Sequence, residues 1–554
     1  MGRVRDALAI LTHRRNHTGN PSASWGWRGG FVGNGPRFDG SKIRSSLRSL
    51  YPSGYDLDSW ALRARSRVAY WDSPQARALL QRLADHVIGT GLTLRAAPAW
   101  ELIGSTLDDE GRRKLADEID VRFRLWAESH EPDATGRRTL AEMQGFVFAN
   151  ELRDGDIPTI LRYSGDSSRM SPLNLQILDA DQLDPRITTY GMTDRVGLAP
   201  GAQPGNVLMD GCELTPSGAL VAIYVIDPAK PYGKPTRIPM TGPSGRRFVL
   251  LPSIIDLPGQ VRGVGPLAPI VHELQKITDY TAAEIEAAVS NALVAGMIEP
   301  SAESDTRTNL SKALGGGVQP RATQTGVTAP AGASDLTGSE VRIDKPGLWV
   351  GSLKAGEKLT SFDTKRPNVN FGTFVSTITK SISASLSIPV EVLEMTFSAN
   401  YSASRASIIL FWQRVTNWRA HIVSQLLAPV YESWLREEVS LGRFPILRAN
   451  GFGADPVRTR AWLQAEWIGD PMPSIDPLKD AEADDLRIAQ GATTGERVAL
   501  EYNRSDFYEN AAKRKAELAV MPQTLTLVKQ PKPALPASDD PENNPPIPPR
   551  GGTN

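Results

Sequence analysis

A long amphipathic pattern in the C-terminal half constrains the fold of this chain more than any other feature. Apolar side chains recur at helical spacing over residues 408–434, and a helix of about thirty residues would be about 50 Å long. Pro429 interrupts the pattern and predicts a kink, because proline removes a backbone donor and crowds the preceding turn. An apolar stripe over residues 371–386 predicts a second helix, which Pro389 ends. Two such helices, joined by a partly apolar loop, favour a scaffold or a channel wall over a catalytic cleft.

The aromatic side chains of the long helix have two interpretations. A row of rings can stack on nucleic-acid bases, but the helical periodicity makes packing against other helices the stronger explanation. These aromatic residues are Phe411, Trp412, Trp418, Tyr431 and Trp434. The arginines of the same helix are expected to form a solvated or inter-subunit face, and they are Arg405, Arg414, Arg419 and Arg436.

The composition bounds the class of protein. The chain has 554 residues, of which 62 are basic, 62 are acidic and 40% are hydrophobic, which is enough for several domains with their own cores. Balanced charge argues against a protein that grips nucleic acid, since neutralising phosphates needs an excess of Lys and Arg. It is compatible with DNA sliding past a surface that must not hold it. The single cysteine, Cys212, excludes an intrachain disulfide framework and predicts a small buried apolar side chain.

Several segments lack the pattern of a folded core. No apolar run approaches the eighteen or so residues of a membrane span, and the N-terminus lacks the apolar centre of a signal peptide, so we expect intracellular synthesis and no membrane contact. Residues 1–56 mix Arg, Ser, Gly and aromatics without periodicity and predict an irregular arm. Residues 301–340 and 521–554 have few large apolar side chains and predict a mobile insertion and a disordered tail.

The remaining chain alternates between helical and β-rich patterns. Helices are predicted over residues 57–88, with a cap at Ser73, and over 112–128 and 140–152. Residues 157–261 contain short β-rich segments separated by turn signals. A small hairpin is predicted from residues 348–350 and 358–362. Further helices are predicted over residues 266–293, 461–467, 476–490 and 496–518.

The motifs that carry chemistry in other proteins are weak or missing here. Gly263 and Gly265 precede a helix as in a phosphate cradle, but the third glycine and the acidic ribose partner are missing, so we interpret them as helix-flanking glycines. No Gly-Lys-Ser/Thr phosphate loop occurs in the sequence, so an ATP-driven motor is not encoded. No nucleophile elbow occurs either. The sequence therefore predicts no catalytic residue and no cofactor.

Acidic and histidine residues also favour ordinary structural roles. Asp179, Asp181 and Asp184 lack the glycine and terminal glutamate of a calcium loop, so we interpret them as turn residues and predict no metal site. His86 and His421 fall within amphipathic helices, where a partly buried imidazole is commoner than a metal ligand.

Several stretches, taken in order, resemble the lambda family of tailed-phage portal proteins over most of residues 57–518. No single stretch is diagnostic, and the series is specific only in combination. The stretches are Arg63-Ala-Arg-Ser-Arg67 through Val87-Ile-Gly-Thr-Gly91, Leu175-Gln-Ile-Leu-Asp-Ala-Asp-Gln-Leu-Asp184, Gly211-Cys-Glu-Leu-Thr-Pro-Ser-Gly218, Gly259-Gln-Val-Arg-Gly263, Asn400-Tyr-Ser-Ala-Ser-Arg-Ala406 and Ile475-Asp-Pro-Leu-Lys-Asp-Ala-Glu-Ala483. Cys212 departs from the family, which more often has an aliphatic residue there.

The resemblance implies an α+β, mainly helical subunit of the portal type, with a long kinked helix. Such subunits assemble into a ring, typically of twelve copies, around an axial DNA channel. By similarity, the parts would be an irregular N-terminal arm (1–56), a wing (57–263), a stem helix (264–297), a clip with a mobile insertion (298–363), a second stem helix (364–388), a tunnel loop (389–402), the long kinked wing helix (403–448), crown helices (449–520) and a disordered tail (521–554).

The resemblance also identifies the tunnel loop as the segment expected to narrow the channel and touch DNA. Its candidate residues are Glu391, Leu393, Glu394, Met395, Phe397, Asn400 and Tyr401. Without Lys or Arg, the loop would press on the duplex by contact or pack against a neighbouring copy, while its glutamates repel the phosphates. Alternatively, its apolar residues staple the loop to its own subunit. At the head of the long helix, the family motif comprises Asn400, Tyr401, Ser402 and Arg405, with Ser402 as the candidate N-cap.

The function implied by the resemblance is a non-enzymatic portal at the special capsid vertex of a virion, made in the host cytoplasm. It would serve head assembly, genome packaging and DNA ejection. Its expected partners are further copies of itself, double-stranded DNA, the terminase large subunit, the major capsid and scaffold proteins, and the head–tail connector protein. Two other readings stay open: an enzymatic component of the packaging machinery, such as the motor, and a structural tail or baseplate ring.

Overall fold

The computed structural model divides the chain into two compact units, Met1–Ile475 and Asp476–Asn554. The structure describes residues 59–104, 107–184, 199–230, 233–293, 297–299, 358–360, 370–396, 401–472 and 476–520. The predicted N-terminal arm (1–56), the predicted mobile insertion (301–340) and the predicted tail (521–554) lie outside the described residues.

Helices dominate the first unit. Their bounds are α1 Ser59–Asp72, α2 Pro74–Val87, α3 Trp100–Ile103, α4 Asp109–Glu128, α5 Leu140–Asp154, α6 Val271–Leu293, α7 Phe371–Leu386, α8 Val390–Glu394, α9 Tyr401–Ile422, α10 Ala428–Ser440, α11 Pro445–Ala449 and α12 Pro456–Trp462. The predicted cap at Ser73 is confirmed, since its side chain accepts a hydrogen bond from the backbone N–H of Ala76. Thr139 and Glu142 form a capping box at the start of α5.

The described strands of the first unit form four small sheets. Their bounds are β1 Thr93–Ala96, β2 Thr159–Tyr163, β3 Leu173–Ile177, β4 Val207–Met209, β5 Cys212–Leu214, β6 Leu220–Val225, β7 Thr236–Pro239, β8 Val249–Leu250, β9 Met297–Glu299, β10 Lys358–Thr360 and β11 Ala465–Ile468. Three sheets have the orders β3-β2-β8, β4-β5-β6-β7 and β1-β11, and β9 pairs with β10. Every pairing is antiparallel. The predicted α+β, mainly helical fold is confirmed.

One local prediction was wrong. Helix α12 ends at Trp462, and Ala465–Ile468 is a strand paired with β1 instead of the predicted helix. The predicted hairpin stays a prediction: Lys358–Thr360 is a strand that pairs with Met297–Glu299, and residues 348–350 lie outside the described residues. In both strand pairs the partner is remote in sequence, so local periodicity carries no sign of it.

The long helix supplies much of the principal core. Its second part, α10, is buried along most of its length, and Phe123 of α4 packs edge-on against Trp434 and Tyr431 with ring-centroid distances of 5.1 and 5.7 Å. Phe411 and Trp418 are also buried in this core. Packing between helices, and not base stacking, therefore accounts for these aromatic residues.

The four-stranded sheet β4-β5-β6-β7 has a smaller core of its own. Cys212 lies in it beside Ile223 and Leu183. Burial raises the pKa of the Cys212 thiol to about 12, so this thiol is inert at neutral pH. The prediction of a buried, small apolar cysteine is confirmed.

A π-helical segment joins the two parts of the long helix. Tyr401–Ile422 (α9) continues through Val423–Leu427, where the hydrogen bonds run from each residue to the fifth one on, into Ala428–Ser440 (α10). Pro429 lies in the first turn of α10, where a missing N–H is tolerated best. The helix is therefore interrupted where the sequence predicted a kink, and the interruption takes the form of a π-helical segment just before Pro429.

The second unit contains three helices in its described residues, α13 Pro477–Ala489, α14 Gly495–Asn503 and α15 Phe507–Val520. Asp476 caps α13 and Thr494 caps α14. The predicted continuous helix 496–518 is two helices, because Arg504 adopts a left-handed conformation that ends α14. Residues 449–475 of the predicted crown belong to the first compact unit, where β11 pairs with β1, and the crown itself stays a prediction. No helix in the described part of the chain has the length and apolarity that a membrane crossing needs.

A half-buried carboxylate beside the end of β1 makes stability depend on pH. Asp120 accepts a 2.6 Å hydrogen bond from the N–H of Ala96, and burial raises the pKa of Asp120 to about 7. A folded-state pKa above the unfolded value of about 3.9 gives a stabilisation that is complete below pH 4 and is lost as the pH rises through 7.

We therefore expect Asp120→Asn to raise the free energy of unfolding at pH 8 by about 1–3 kcal/mol and to change it little near pH 4. Urea unfolding of the variant and the wild type at both pH values measures the difference. Asp117→Asn, an exposed change one turn earlier in α4, is the matched control and should be nearly neutral at both. Equal effects of Asp120→Asn at pH 4 and pH 8 would contradict the assignment.

Candidate functional site

The segment between α7 and α9, predicted as a tunnel loop, is partly helical. Helix α7 ends at Leu386, as the Pro389 signal predicted, and Ser387 takes a left-handed conformation with φ of 56°. The short helix α8 (Val390–Glu394) follows, and Met395 ends it with a second left-handed conformation, also at φ of 56°. Non-glycine residues seldom adopt this conformation. Short helix α8 is thus bounded on each side by a left-handed residue, Ser387 before it and Met395 after it.

The inner face of α8 is anchored to its own subunit. Val392 and Leu393 are buried in the principal core, with Leu393 only 8% exposed. Arg82 of α2 donates a 2.9 Å hydrogen bond to the backbone oxygen of Val392. The stapling alternative therefore describes Leu393, which faces its own core and not a channel.

The outer end of this segment is open to solvent. Glu394, Met395 and Thr396 are exposed, Met395 to 64%. Glu391 is half-buried, and its backbone oxygen accepts a hydrogen bond from the N–H of Thr396. The exposed surface is thus acidic and apolar, which suits a contact that does not hold phosphates.

The other residues singled out at the head of the long helix are placed unevenly. Phe397 and Asn400 lie outside the described residues. Tyr401 is the first residue of α9, so Ser402 lies inside the helix and is not its N-cap, which corrects the predicted cap. Arg405 follows on α9 with a half-buried side chain.

A cluster of arginine and aspartate side chains joins α1 to the loops that follow α5 and β3. We define the arginine–aspartate cluster as Arg63, Arg67, Arg262, Asp154, Asp156, Asp179 and Asp181. At its core, the guanidinium of Arg262 donates to both oxygens of Asp156, with N–O distances of 2.6 and 2.9 Å. Both side chains are buried. Arg262 also donates to the backbone oxygens of Ala180 and Asp210.

Two arginines of α1 complete the cluster. Arg63 donates to Asp181 at 2.6 Å, and Arg67 donates to Asp181 at 2.7 Å and to Asp154 at 2.9 and 3.0 Å. Arg67 also binds Asp179 at 2.7 Å. Burial opposes ionisation of Asp154, but hydrogen bonds from Arg153 and Arg67 outweigh it and lower the pKa of Asp154. Asp154 is therefore ionised at neutral pH.

Glycines let the backbone close around this cluster. A Cβ on Gly263 would lie 1.9 Å from the backbone oxygen of Gly155, and a Cβ on Gly265 would lie 2.5 Å from that of Leu152. The N–H of Gly263 donates to Asp156 at 3.0 Å. Close backbone approach explains both glycines, so neither belongs to a phosphate cradle.

The sequence analysis did not predict the arginine–aspartate cluster, although it named several of its residues. Asp179 caps the 3₁₀ turn Ala180–Gln182, which confirms the turn interpretation, but its pairing with Arg67 was not foreseen. The available signal was the basic run Arg63–Arg67, since arginines at spacing four share one face of a helix. The segments that resemble portal proteins at 63–67, 175–184, 211–218 and 259–263 meet at or beside this cluster.

Polar contacts also fix the long helix to α2 and α5. Arg419 of α9 donates to the backbone oxygens of Val87 and His86 at the C-terminal end of α2, at 2.8 and 3.2 Å. This contact corrects the expectation that Arg419 lies on a solvated or inter-subunit face. His421, which lies just before the π segment begins, is 2.7 Å from the buried carboxylate of Glu151 on α5.

Several helices expose apolar side chains that the described residues do not cover. These are Trp60, Val68 and Trp71 on α1, Ile285 and Val289 on α6, Phe374 on α7, and Ile409 and Leu410 on α9. Large exposed apolar patches commonly mark contacts between proteins. Helices α1, α6, α7 and α9 therefore each carry a surface suited to a partner.

Comparison with known proteins identifies a family over most of the chain. Residues 48–419 match the family model described as phage portal protein, lambda family. The chain is 23% identical over 502 residues to the portal protein of Escherichia phage N15, covering 87% of this chain and 88% of that protein. It is also 23% identical over 494 residues to portal protein B of Escherichia phage lambda, covering 87% of each chain.

Two similar solved structures are chains of gene transfer agent particles. One is from the neck of an empty GTA particle computed with C6 symmetry, with a TM-score of 0.42 and 14% identity, covering 83% of this chain and 97% of that one. The other is from the neck of a native GTA particle computed with C12 symmetry, with a TM-score of 0.37 and 14% identity, covering 82% and 96%.

The arginine–aspartate cluster generates a prediction about stability. We expect Asp156→Ala to lower the free energy of unfolding by about 3–5 kcal/mol, because it leaves the buried Arg262 without a counter-charge. Chemical denaturation followed by tryptophan fluorescence measures the loss.

The matched control is Glu118→Ala, which removes the exposed 3.0 Å pair with Arg122 on α4 and should cost no more than about 0.5 kcal/mol. Similar losses in the two variants would show that the cluster carries no special share of the stability.

Proposed function

The chain belongs to the lambda family of phage portal proteins, and we propose that it forms the ring-shaped DNA channel at the special vertex of a phage capsid. In that place it serves head assembly, genome packaging and DNA ejection, and it resides in the virion. The observation that carries this proposal is the family match over residues 48–419, which includes α6, α7, α8 and most of α9. These are the helices that a channel needs.

The proposed ring buries the apolar surfaces that one chain leaves open. Ile285 and Val289 lie one turn apart on α6, and Leu410 lies on α9; all three are more than half exposed. In a closed ring each subunit presents one face to the neighbour on its left and a different face to the neighbour on its right. Apolar surface on several helices fits such a two-sided contact. By family resemblance, the ring has twelve copies.

The proposed role of the chain is structural and not enzymatic. Portal proteins form a passage, and movement of DNA is driven by a separate motor. The sequence contains no phosphate loop. The balanced charge of 62 basic and 62 acidic residues keeps the affinity for phosphates low, as a passage for a whole genome requires.

Within the channel, we assign the contact with DNA to the outer end of α8. Glu394 and Met395 are exposed there, while Val392 and Leu393 anchor the helix to the core. An apolar side chain held on a fixed turn can narrow a passage, and a neighbouring carboxylate prevents adhesion to phosphates. The buried face of α8 thus fixes the position of its exposed end, and that end can contact DNA without binding the phosphates.

The remaining partners follow from the family and are part of the proposal. The clip (298–363) docks the terminase large subunit, and the wing (57–263 with the long helix) meets the major capsid and scaffold proteins. The head–tail connector protein binds after packaging. These assignments rest on the family resemblance of the segments concerned.

Ring formation is the first test. We expect the purified protein to form closed rings with a central pore, and the double variant Ile285→Asp/Val289→Asp to yield monomers or open fragments, because ionised carboxylates cannot be buried in an apolar contact. Native mass measurement and projection images report the outcome.

Ala283→Asp, an exposed change on the opposite side of α6, is the control and should still give rings. Far-ultraviolet circular dichroism checks that every variant is folded. A wild-type monomer that is stable across the micromolar range, in low and moderate salt, would contradict the proposal.

The channel role of α8 is tested by removing its exposed side chain. We expect Met395→Gly to leave rings and heads intact, since glycine tolerates φ of 56°, and to reduce genome retention. Replacing residues 394–400 by a Gly/Ser linker should enlarge that loss. Packaged DNA per head, measured after a nuclease challenge, is the readout.

Leu393→Ala tests the anchoring of α8 to the core separately from the proposed contact of Met395 with DNA. It should lower the free energy of unfolding by about 2–5 kcal/mol, because it leaves a cavity under α8. Normal genome retention in both the Met395→Gly and the linker variants would reject the constriction role.

A further inference from the structure

In its described residues, the second unit exposes most of its apolar side chains. Among the described residues of 476–520, the buried side chain is Leu500, at 7% exposure, and every residue of α15 is exposed. Helices of nine to fourteen residues are marginal in water unless packing covers an apolar face. The contacts that stabilise α13 and α15 must therefore come from beyond the described part of one chain.

Helices α13 and α15 carry matching stripes. In each stripe the residues follow one another at spacings of three, four and three, so they lie on one helical face. The third position is charged in both, and the other three are apolar. The α13 stripe is Leu478, Ala481, Asp485 and Ile488; the α15 stripe is Tyr508, Ala511, Lys515 and Leu518.

The charges at the third positions discriminate between the possible pairings. Two α13 stripes facing each other in the same direction and in register would bring Asp485 against Asp485, and two α15 stripes would bring Lys515 against Lys515. Like charges in contact cost free energy and select against a pairing. An α13 stripe facing a parallel α15 stripe in register instead brings Asp485 opposite Lys515, and an antiparallel α15 stripe does so after a shift of one helical turn. Both side chains are exposed in the single chain.

We infer that α13 of one subunit packs against α15 of a second copy, with Asp485 facing Lys515. The contact is heterologous, because each copy uses α13 on one side and α15 on the other, and such contacts repeat around a closed ring. The inference rests on the ring of the proposed function and names the residues that join its subunits at the C-terminal unit. It also explains why this unit has so small a core of its own.

Disulfide trapping tests the pairing in the full-length protein. Cys212 is the only cysteine of the sequence and is buried, so background cross-linking is low. Under mild oxidation, we expect assembled Asp485→Cys/Lys515→Cys protein to give a ladder of covalent oligomers up to the full ring. The single variants Asp485→Cys and Lys515→Cys should stay monomeric on a denaturing gel.

The other outcomes overturn the inference. A cross-linked product of monomer size in the double variant would place the contact within one chain. Dimers in a single variant would show that like helices pair. Intact rings without a ladder would reject the contact and leave the proposed function standing, whereas the absence of rings in the wild type would reject both.

A charge exchange provides a second readout that needs no disulfide. Asp485→Lys and Lys515→Asp should each raise the protein concentration at which rings are half-formed, by about tenfold or more, because each places like charges together. The double exchange Asp485→Lys/Lys515→Asp should restore the wild-type concentration. Additive losses in the double exchange would contradict direct contact between the two residues.

Discussion

The buried ion pair between Arg262 and Asp156 is the constraint on which the first unit depends. A guanidinium and a carboxylate leave water only where geometry and further hydrogen bonds compensate each of them, and here Arg262 makes two bonds to Asp156 and two to backbone oxygens. Those oxygens belong to Ala180 and Asp210, so a single side chain joins three distant parts of the sequence. The ion pair also depends on the close approach of the backbone at Gly155 to the backbone at Gly263. A side chain on either glycine would push the two chain segments apart.

The two parts of the long helix have different surroundings. Helix α10 is embedded among aromatic residues, while α9 exposes Ile409 and Leu410 near its middle and is tied to α2 and α5 by Arg419 and His421. One helix thus connects a rigid core to a surface that can meet another molecule. The segment before it, α8, repeats this division on a smaller scale, with a buried inner face and an exposed end.

Local features of the fold were predictable from the sequence, and long-range ones were not. Strand β2 was predicted at its observed bounds, and the ends of α4 and α5 within a few residues, because caps and periodicity act over one or two turns. The pairing of β11 with β1 was missed, since the partners are separated by most of the chain. The arginine–aspartate cluster was missed for the same reason. Of the tunnel-loop residues, the sequence marked Leu393 and Met395 alike as apolar, and only the tertiary contacts distinguish the anchored side chain from the exposed one.

The π-helical segment Val423–Leu427 sets a phase difference between the two halves of the long helix. It accommodates one residue more than a regular turn, and one residue corresponds to a rotation of about 100° around the helix axis. The faces of α9 and α10 are therefore not continuous with each other, as they would be along a uniform helix. Each half can meet its own surroundings: α10 meets the aromatic core, and α9 presents His421 to Glu151 and Arg419 to the end of α2. One continuous helix can therefore pack against two surroundings whose positions around its axis differ by the rotation that the π segment introduces.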